Sequence, residues 1–122
     1  MRVLYIEDNP MNMRLVRKML VSTGFDLLEA YDGRSGIELA NMERPDLILM
    51  DVNLPGMSGL DVTRTLKNNP DLQEIPIIAL TSNDHMPHRI EAINAGCDGY
   101  LAKPVSRAEL VRTLRLFVTP AY

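Results

Sequence analysis

At 122 residues, 46% apolar and 24% charged, the chain has the size and balance of one folded domain, which excludes a disordered protein and leaves no room for two ordinary domains. A net charge of −3 gives no general attraction to nucleic acid or to an anionic membrane. The single cysteine, Cys97, cannot form an internal disulfide; with no apolar run near the ~20 residues of a membrane span and only Arg2 ahead of the first apolar run, a cytoplasmic location is expected.

Taken in order, short apolar runs alternate with amphipathic stretches. Met1 to Ile6 reads as a buried strand that ends in two acids, Glu7 and Asp8. Asn9-Pro10 opens a helix, capped by Asp8 or Asn9, with proline in the first turn where its missing N–H would be unpaired anyway. Met11, Leu15, Val16, Met19 and Leu20 recur at helical spacing, Arg14, Arg17 and Lys18 form an exposed face, and Thr23-Gly24 ends the helix. Phe25 to Ala30 is a strand carrying Asp26 and Glu29, and it belongs at a sheet edge. Asp32-Gly33 reads as a turn and Ser35 to Glu43 as a short helix, with Ile37, Leu39, Ala40 and Met42 apolar and Pro45 as its stop.

The next stretch is the most informative. Asp46 to Met50 is almost wholly apolar and stops at an acid, Asp51. Bounded by Pro45 and by Pro55-Gly56, it predicts a strand buried on both faces. Ser58 caps a helix in which Leu60, Thr63 and Leu66 share a face, closed by Asn68-Asn69-Pro70. Ile77 to Leu80 is a short buried strand ending at Thr81-Ser82. Asp84 is expected to cap the following helix, with Pro87 in its first turn, Ile90 and Ile93 facing inward, and Ala95-Gly96 at its end. Gly99 to Ala102 is the last strand, ending at Lys103-Pro104. Ser106 opens a final helix carrying Leu110, Val111, Leu114, Phe117 and Val118, and Thr119-Pro120 ends it. The eight methionines are expected mostly at core positions. Cys97 reads as a small, partly buried residue, and His85 and His88 as a solvated helix face, since no third metal ligand is near them in sequence.

Five β-α repeats imply a parallel sheet with helices on both faces. Right-handed crossovers leave few topologies, and strand order 2-1-3-4-5 puts the switch point between the first and third strands. Parallel strands bring their C-terminal ends to one edge, so Glu7, Asp8, Asp51, Thr81 and Lys103 should converge. One acid at a strand end is commonly a helix cap, which would suffice for Asp8 alone. Three carboxylates packed together raise one another's pKa and cost stability without a cation, and one lysine does not neutralise them. An oxygen-only set suits a hard cation such as Mg²⁺. A carboxylate in that position can attack phosphorus to form an acyl phosphate. The cation and Lys103 would offset charge on the phosphoryl oxygens, and the Thr81 hydroxyl could donate a hydrogen bond to one of them.

The motifs IEDN at 6–9, LILMDVNLPGMSG at 47–59, ALTS at 79–82 and YLAKP at 100–104 resemble the receiver domain of bacterial two-component response regulators, in order and over nearly the whole chain. The resemblance implies the (βα)5 flavodoxin-like fold, with residues 1–122 as one receiver domain; no effector domain is expected within these residues, whether they are a complete single-domain regulator or a piece of a larger protein. It implies Asp51 as phosphoacceptor, Asp8 as a direct metal ligand with Glu7 acting through water, and the Asn53 backbone carbonyl as a further ligand to Mg²⁺ or Mn²⁺. Thr81 matches the switch hydroxyl, Tyr100 the switch aromatic, Lys103 the phosphate-binding lysine, and Lys103–Pro104 the family's cis peptide. Ser82 departs from the alanine or glycine that many members carry beside the switch residue, which bears on phosphoryl lifetime.

The resemblance further implies a signalling module that catalyses only its own phosphorylation and dephosphorylation. Its donor would be a sensor histidine kinase or histidine phosphotransferase, which the family often meets at its first helix. Its output would be a downstream protein target or effector domain, reached through the surface of the fourth helix, last strand and last helix, with a phosphorylation-dependent dimer among the forms of output. No direct nucleic-acid or membrane partner is expected. An aspartate-nucleophile phosphatase of the haloacid-dehalogenase type would need an acid where Asn53 stands, and no cap domain fits the length. A phosphorylation-independent binding module would have no use for the full set of site residues.

Overall fold

The computed structural model describes residues 1–82 and 86–118, with residues 86–88 described in backbone alone. Ten elements alternate: β1 (Arg2–Ile6), α1 (Pro10–Met19), β2 (Asp26–Ala30), α2 (Gly33–Glu43), β3 (Leu47–Asp51), α3 (Gly59–Lys67), β4 (Ile77–Thr81), α4 (Met86–Ala95), β5 (Gly99–Ala102) and α5 (Arg107–Phe117). The strands form one parallel sheet in the order β2-β1-β3-β4-β5, as expected. The expected Asp84 cap, His85 and the Thr119-Pro120 terminator lie outside the described residues, as does the His88 side chain.

Strand side chains alternate between two cores, the consequence of a two-residue period. Val3, Tyr5, Leu47, Leu49, Ile78 and Leu80 face one core, closed by Met13 and Val16 of α1 and by Leu110 and Leu114 of α5. Leu4, Ile6, Ile48, Met50 and Ile77 face the other, closed by Ala40 of α2 and by Val62 and Leu66 of α3. Every residue of β3 and β4 is buried. The apolar runs are continuous because both faces of these strands are covered. β2, at the edge, keeps Asp26 exposed, and its Glu29 accepts two 2.6 Å hydrogen bonds from the Arg17 guanidinium of α1.

Helix starts follow side-chain caps. Asn9, not Asp8, caps α1, accepting from the Met11 N–H at 2.8 Å. Asp32 caps α2 through the Ser35 N–H at 2.7 Å, so the expected turn at Asp32-Gly33 is the cap and first residue of a helix that begins two residues earlier. Ser58 caps α3, and Ser106 caps α5 in a capping box with Glu109.

Helix faces and ends are where the structure departs from the sequence pattern. α1 stops at Met19, and the chain turns through Ser22 and Gly24, both at positive φ, before β2 starts at Asp26 rather than Phe25. Met13, Val16 and Leu20 form its buried stripe, while Met11 and Leu15 are exposed on its flank. Ile90 and Ile93 do not face inward: they are 50% and 63% exposed, and the small Ala92 and Ala95 pack instead. Alanines on that side let α4 lie close to α3 and β5, which pushes the isoleucines outward. Met42 and Phe117 likewise lie toward solvent. The methionines divide, with Met13 and Met50 in the core, Met11 and Met42 exposed, and Met1, Met19 and Met57 packed at the core's margin.

Candidate functional site

Four strands deliver the site. β1 ends at Ile6, and its ladder continues one bond further, the Glu7 N–H donating to the Ala30 carbonyl at 3.0 Å. Glu7 is thereby held as rigidly as a strand residue and points to the same face as Val3 and Tyr5, with 1% of its surface exposed. Asp51 is the last residue of β3, 4% exposed, and the Val52 N–H behind it donates to the Leu80 carbonyl at 3.1 Å. Thr81 ends β4 and is buried; its carbonyl accepts the Lys103 N–H at 2.7 Å. That bond brings the chain after β5 back over the sheet edge, where the Lys103–Pro104 peptide is cis.

The loop after β3 closes tightly. Gly56 takes φ +78°, which suits glycine, and the Gly59 N–H returns to the Val52 carbonyl at 3.0 Å. A Cβ on Gly59 would sit 2.8 Å from the Val52 Cα and also against the Asp51 carbonyl oxygen. The position behind the Asp51 backbone therefore has no room for a side chain.

At the centre, Lys103 Nζ donates to Glu7 Oε1 at 2.7 Å and lies 3.6 Å from Asp51 Oδ1. Asp51 Oδ1 also accepts the Asn53 N–H at 3.1 Å. Glu7, Asp8 and Asp51 each offer a carboxylate oxygen, and these oxygens lie within 4.8 Å of one another, with Asp8 at the exposed lip. Tyr100 is further out on β5, opposite Ala79 of β4, half-buried, with the Arg89 guanidinium 4.9 Å from its ring centroid. Ser82 is exposed and, with Leu15, Met19, Pro104 and Val105, lines an apolar cleft of about 330 Å³ between α1 and the β5–α5 connection.

The electrostatics follow from burial and apposition. Burial, then the hydrogen bond and negative charge of Glu7, push the Asp51 carboxyl up to about 7, against the pull of Lys103 and the Asn53 N–H. Burial also works against ionising Glu7, but hydrogen bonds from Asp51, Lys103 and Tyr5 outweigh it and hold Glu7 down at about 2. The two carboxylates thus compete for one proton, with Asp51 pushed toward its neutral form, as expected when like charges meet with too little positive charge between them. The donor set fits a divalent cation: all oxygen, two of the three carboxylates buried, and one lysine against three acids.

One contact was not anticipated from sequence. The Tyr5 hydroxyl donates to Glu7 Oε1 at 2.8 Å, from a side chain that is 1% exposed. The signal was available, because residues two apart on a strand share a face, but a tyrosine in an apolar run reads as packing.

Fold and site define a (βα)5 flavodoxin-like domain with an acidic pocket at its topological switch point. Residues 3–115 match the response regulator receiver domain, and the chain belongs to that family, the signalling receivers of two-component systems. It is 36% identical over 119 residues to the polar-differentiation response regulator DivK of Brucella anthropi, covering 98% of this chain and 97% of that protein. The receiver domain of the sensor histidine kinase PA1611 of Pseudomonas aeruginosa, solved with a magnesium ion coordinated in its active site cleft, superposes with a TM-score of 0.88 at 39% identity, covering 95% of each chain. The chemotaxis protein CheY4 of Vibrio cholerae superposes with a TM-score of 0.91 at 28% identity, covering 96% of this chain and 98% of that one. Among the described residues no helix is long and apolar enough to cross a membrane.

Proposed function

We propose that residues 1–122 act as one phospho-receiver domain, in which Asp51 takes a phosphoryl group from a phosphohistidine donor. The observation that carries this reading is the meeting of Asp51, Glu7, Asp8 and Lys103 at one sheet edge, with Lys103 Nζ between two buried carboxylates. An ionised Asp51 oxygen attacks phosphorus, an O–P bond forms, and the P–N bond of the donor breaks with its electron pair leaving on the imidazole. Lys103 turns from Glu7 toward the phosphoryl oxygens and offsets their charge. A Mg²⁺ or Mn²⁺ ion would be held by Asp8, Asp51 and the Asn53 carbonyl, with Glu7 acting through water, and would supply the charge that favours the ionised carboxylates. The same residues serve the domain's own dephosphorylation.

The donor, a sensor histidine kinase or a histidine phosphotransferase, approaches along the cleft beside α1, which opens on Lys103. Phosphorylation adds about −1.5 to −2 charge and new acceptor oxygens. The Thr81 hydroxyl then bonds a phosphoryl oxygen, Tyr100 moves inward, and the α4-β5-α5 surface changes for a downstream protein target, an effector domain or a second copy of the chain. Exposed Ile90 and Ile93 on α4 supply apolar area for such a contact. The setting is cytoplasmic, where such donors act.

Incubation with Mg²⁺ and a small phosphodonor, followed by intact mass measurement, should show one added phosphoryl group in the wild type and none in Asp51→Asn. A wild type that takes up no phosphoryl group would overturn the reading.

A further inference from the structure

We propose that Tyr5 is a positioning residue of this site, setting the orientation of the Glu7 carboxylate and, through it, the affinity for the divalent cation; the inference rests on the metal reading given above. Tyr5 lies on β1 two residues before Glu7, on the same strand face, so the two side chains emerge side by side. Its ring belongs to the core closed by α1 and α5. Phenylalanine would pack there without bringing a hydroxyl out of water. The hydroxyl is instead buried with the ring and is spent on a carboxylate of the acidic pocket, 2.8 Å from Glu7 Oε1.

That oxygen already takes the Lys103 ammonium at 2.7 Å. Two donors on Oε1 fix both the position of the carboxylate and its rotation about the last side-chain bond. Glu7 Oε2 receives a long 3.4 Å bond from the Asn9 N–H at the pocket lip, and one carboxylate oxygen of Glu7 would be offered toward a cation's water. When Lys103 turns toward a phosphoryl group, the Tyr5 hydroxyl remains on Glu7. The carboxylate then keeps its orientation through the reaction rather than swinging toward the vacated ammonium position. Hydrogen bonds that orient metal-binding carboxylates from behind commonly matter 10–100-fold to metal affinity. A single neutral donor acting on a water-mediated ligand falls at the lower end of that range.

The test is direct titration of Mg²⁺ by calorimetry into metal-free wild type, Tyr5→Phe, Glu7→Gln and the double variant, with Tyr5→Ile as a second hydroxyl-free protein should Tyr5→Phe fail to fold. The wild type should bind, and Tyr5→Phe should bind about tenfold more weakly. In the Glu7→Gln background the same substitution should change affinity less than about twofold, the non-additivity of residues that act as a unit. The Mg²⁺ concentration for half-maximal phosphorylation should rise by the same factor, while the rate at saturating Mg²⁺ stays within about threefold. A merely structural tyrosine would not separate the two. Binding by the hydroxyl-free variant within twofold of wild type, or an undiminished loss in the Glu7→Gln background, overturns the proposal and leaves the metal site standing. A wild type that binds no Mg²⁺ overturns the metal reading itself, and Tyr5's role falls with it.

Discussion

Asp51→Asn should stabilise the metal-free protein, and by an amount that grows with pH. A carboxyl that ionises near 3.8 when unfolded and about 7 when folded binds more protons in the folded state across that window. Stability therefore falls as pH rises from about 4 to about 7 and is level above it. The full shift corresponds to about 4 kcal/mol, the larger part of it accruing between pH 5 and pH 8. Relaxation and water at the open lip reduce the later part to about 1–2 kcal/mol. Glu7 adds little slope there: its lowered value gives stability that is complete above about 4.5 and lost only as pH falls toward about 2. Asparagine stays neutral throughout, so the gap between variant and wild type should widen by about 1–2 kcal/mol from pH 5 to pH 8, read by urea unfolding in the presence of chelator. Mg²⁺ at ten times its Kd should then stabilise the wild type by about 1.4 kcal/mol and the variant much less. A gap that stays constant or narrows with pH would refute the picture of two apposed carboxylates competing for one proton.

Three further substitutions probe the frame around the site. Lys103→Met leaves Glu7 buried beside Asp51 without its cation; metal-free stability should fall by about 1–3 kcal/mol by urea unfolding, and phosphoryl uptake should slow in the same preparation. Gly59→Ala drives a methyl against the Asp51 carbonyl and to 2.8 Å from the Val52 Cα, backbone that cannot rotate away; a loss of about 2–4 kcal/mol, read as a drop in Tm, is expected. Asp98→Ala removes the acceptor shared by the Ile77 N–H and the Lys67 ammonium, each at 2.9 Å, and should cost about 1–2 kcal/mol while leaving Mg²⁺ affinity within twofold.

The sheet was legible from sequence and the helix faces were not, for a physical reason. A strand covered on both sides must be apolar at every position, so Leu47 to Met50 and Ile77 to Leu80 announce themselves, and the acid or hydroxyl that ends each run marks the sheet edge. Handedness then leaves few strand orders, and the one expected among them, 2-1-3-4-5, is the one observed. A helix buries one stripe, and when it carries more apolar residues than the stripe needs, tertiary packing chooses among them. α1 uses Met13, Val16 and Leu20 and leaves Met11 and Leu15 outside; α4 uses two alanines and leaves two isoleucines outside. The meeting of Glu7, Asp8, Asp51 and Lys103 was legible for the same reason as the sheet, since parallel strands bring their ends to one edge. The Tyr5–Glu7 bond was not, because apolar patterning does not distinguish a ring that only packs from one whose hydroxyl reaches a charge.

The frame also decides where a change of charge at Asp51 can be relieved. Glu7, Val52 and Lys103 are each tied by a backbone hydrogen bond to the neighbouring strand or its end, at 3.0, 3.1 and 2.7 Å. The carboxylates therefore cannot separate by moving main chain without breaking ladder bonds and opening the cores on both sides. Relief must come through side chains: a proton on Asp51, a cation, or rotation of Lys103. Of the elements around Asp51, β1 and β3 are held on both edges by other strands, whereas β5 is paired on one side only and carries Lys103 just beyond its end. In the proposed switch, strain from a new phosphoryl charge is thus drawn toward β5 and the segments flanking it rather than toward β1, because that is the side of the sheet where movement breaks the fewest bonds.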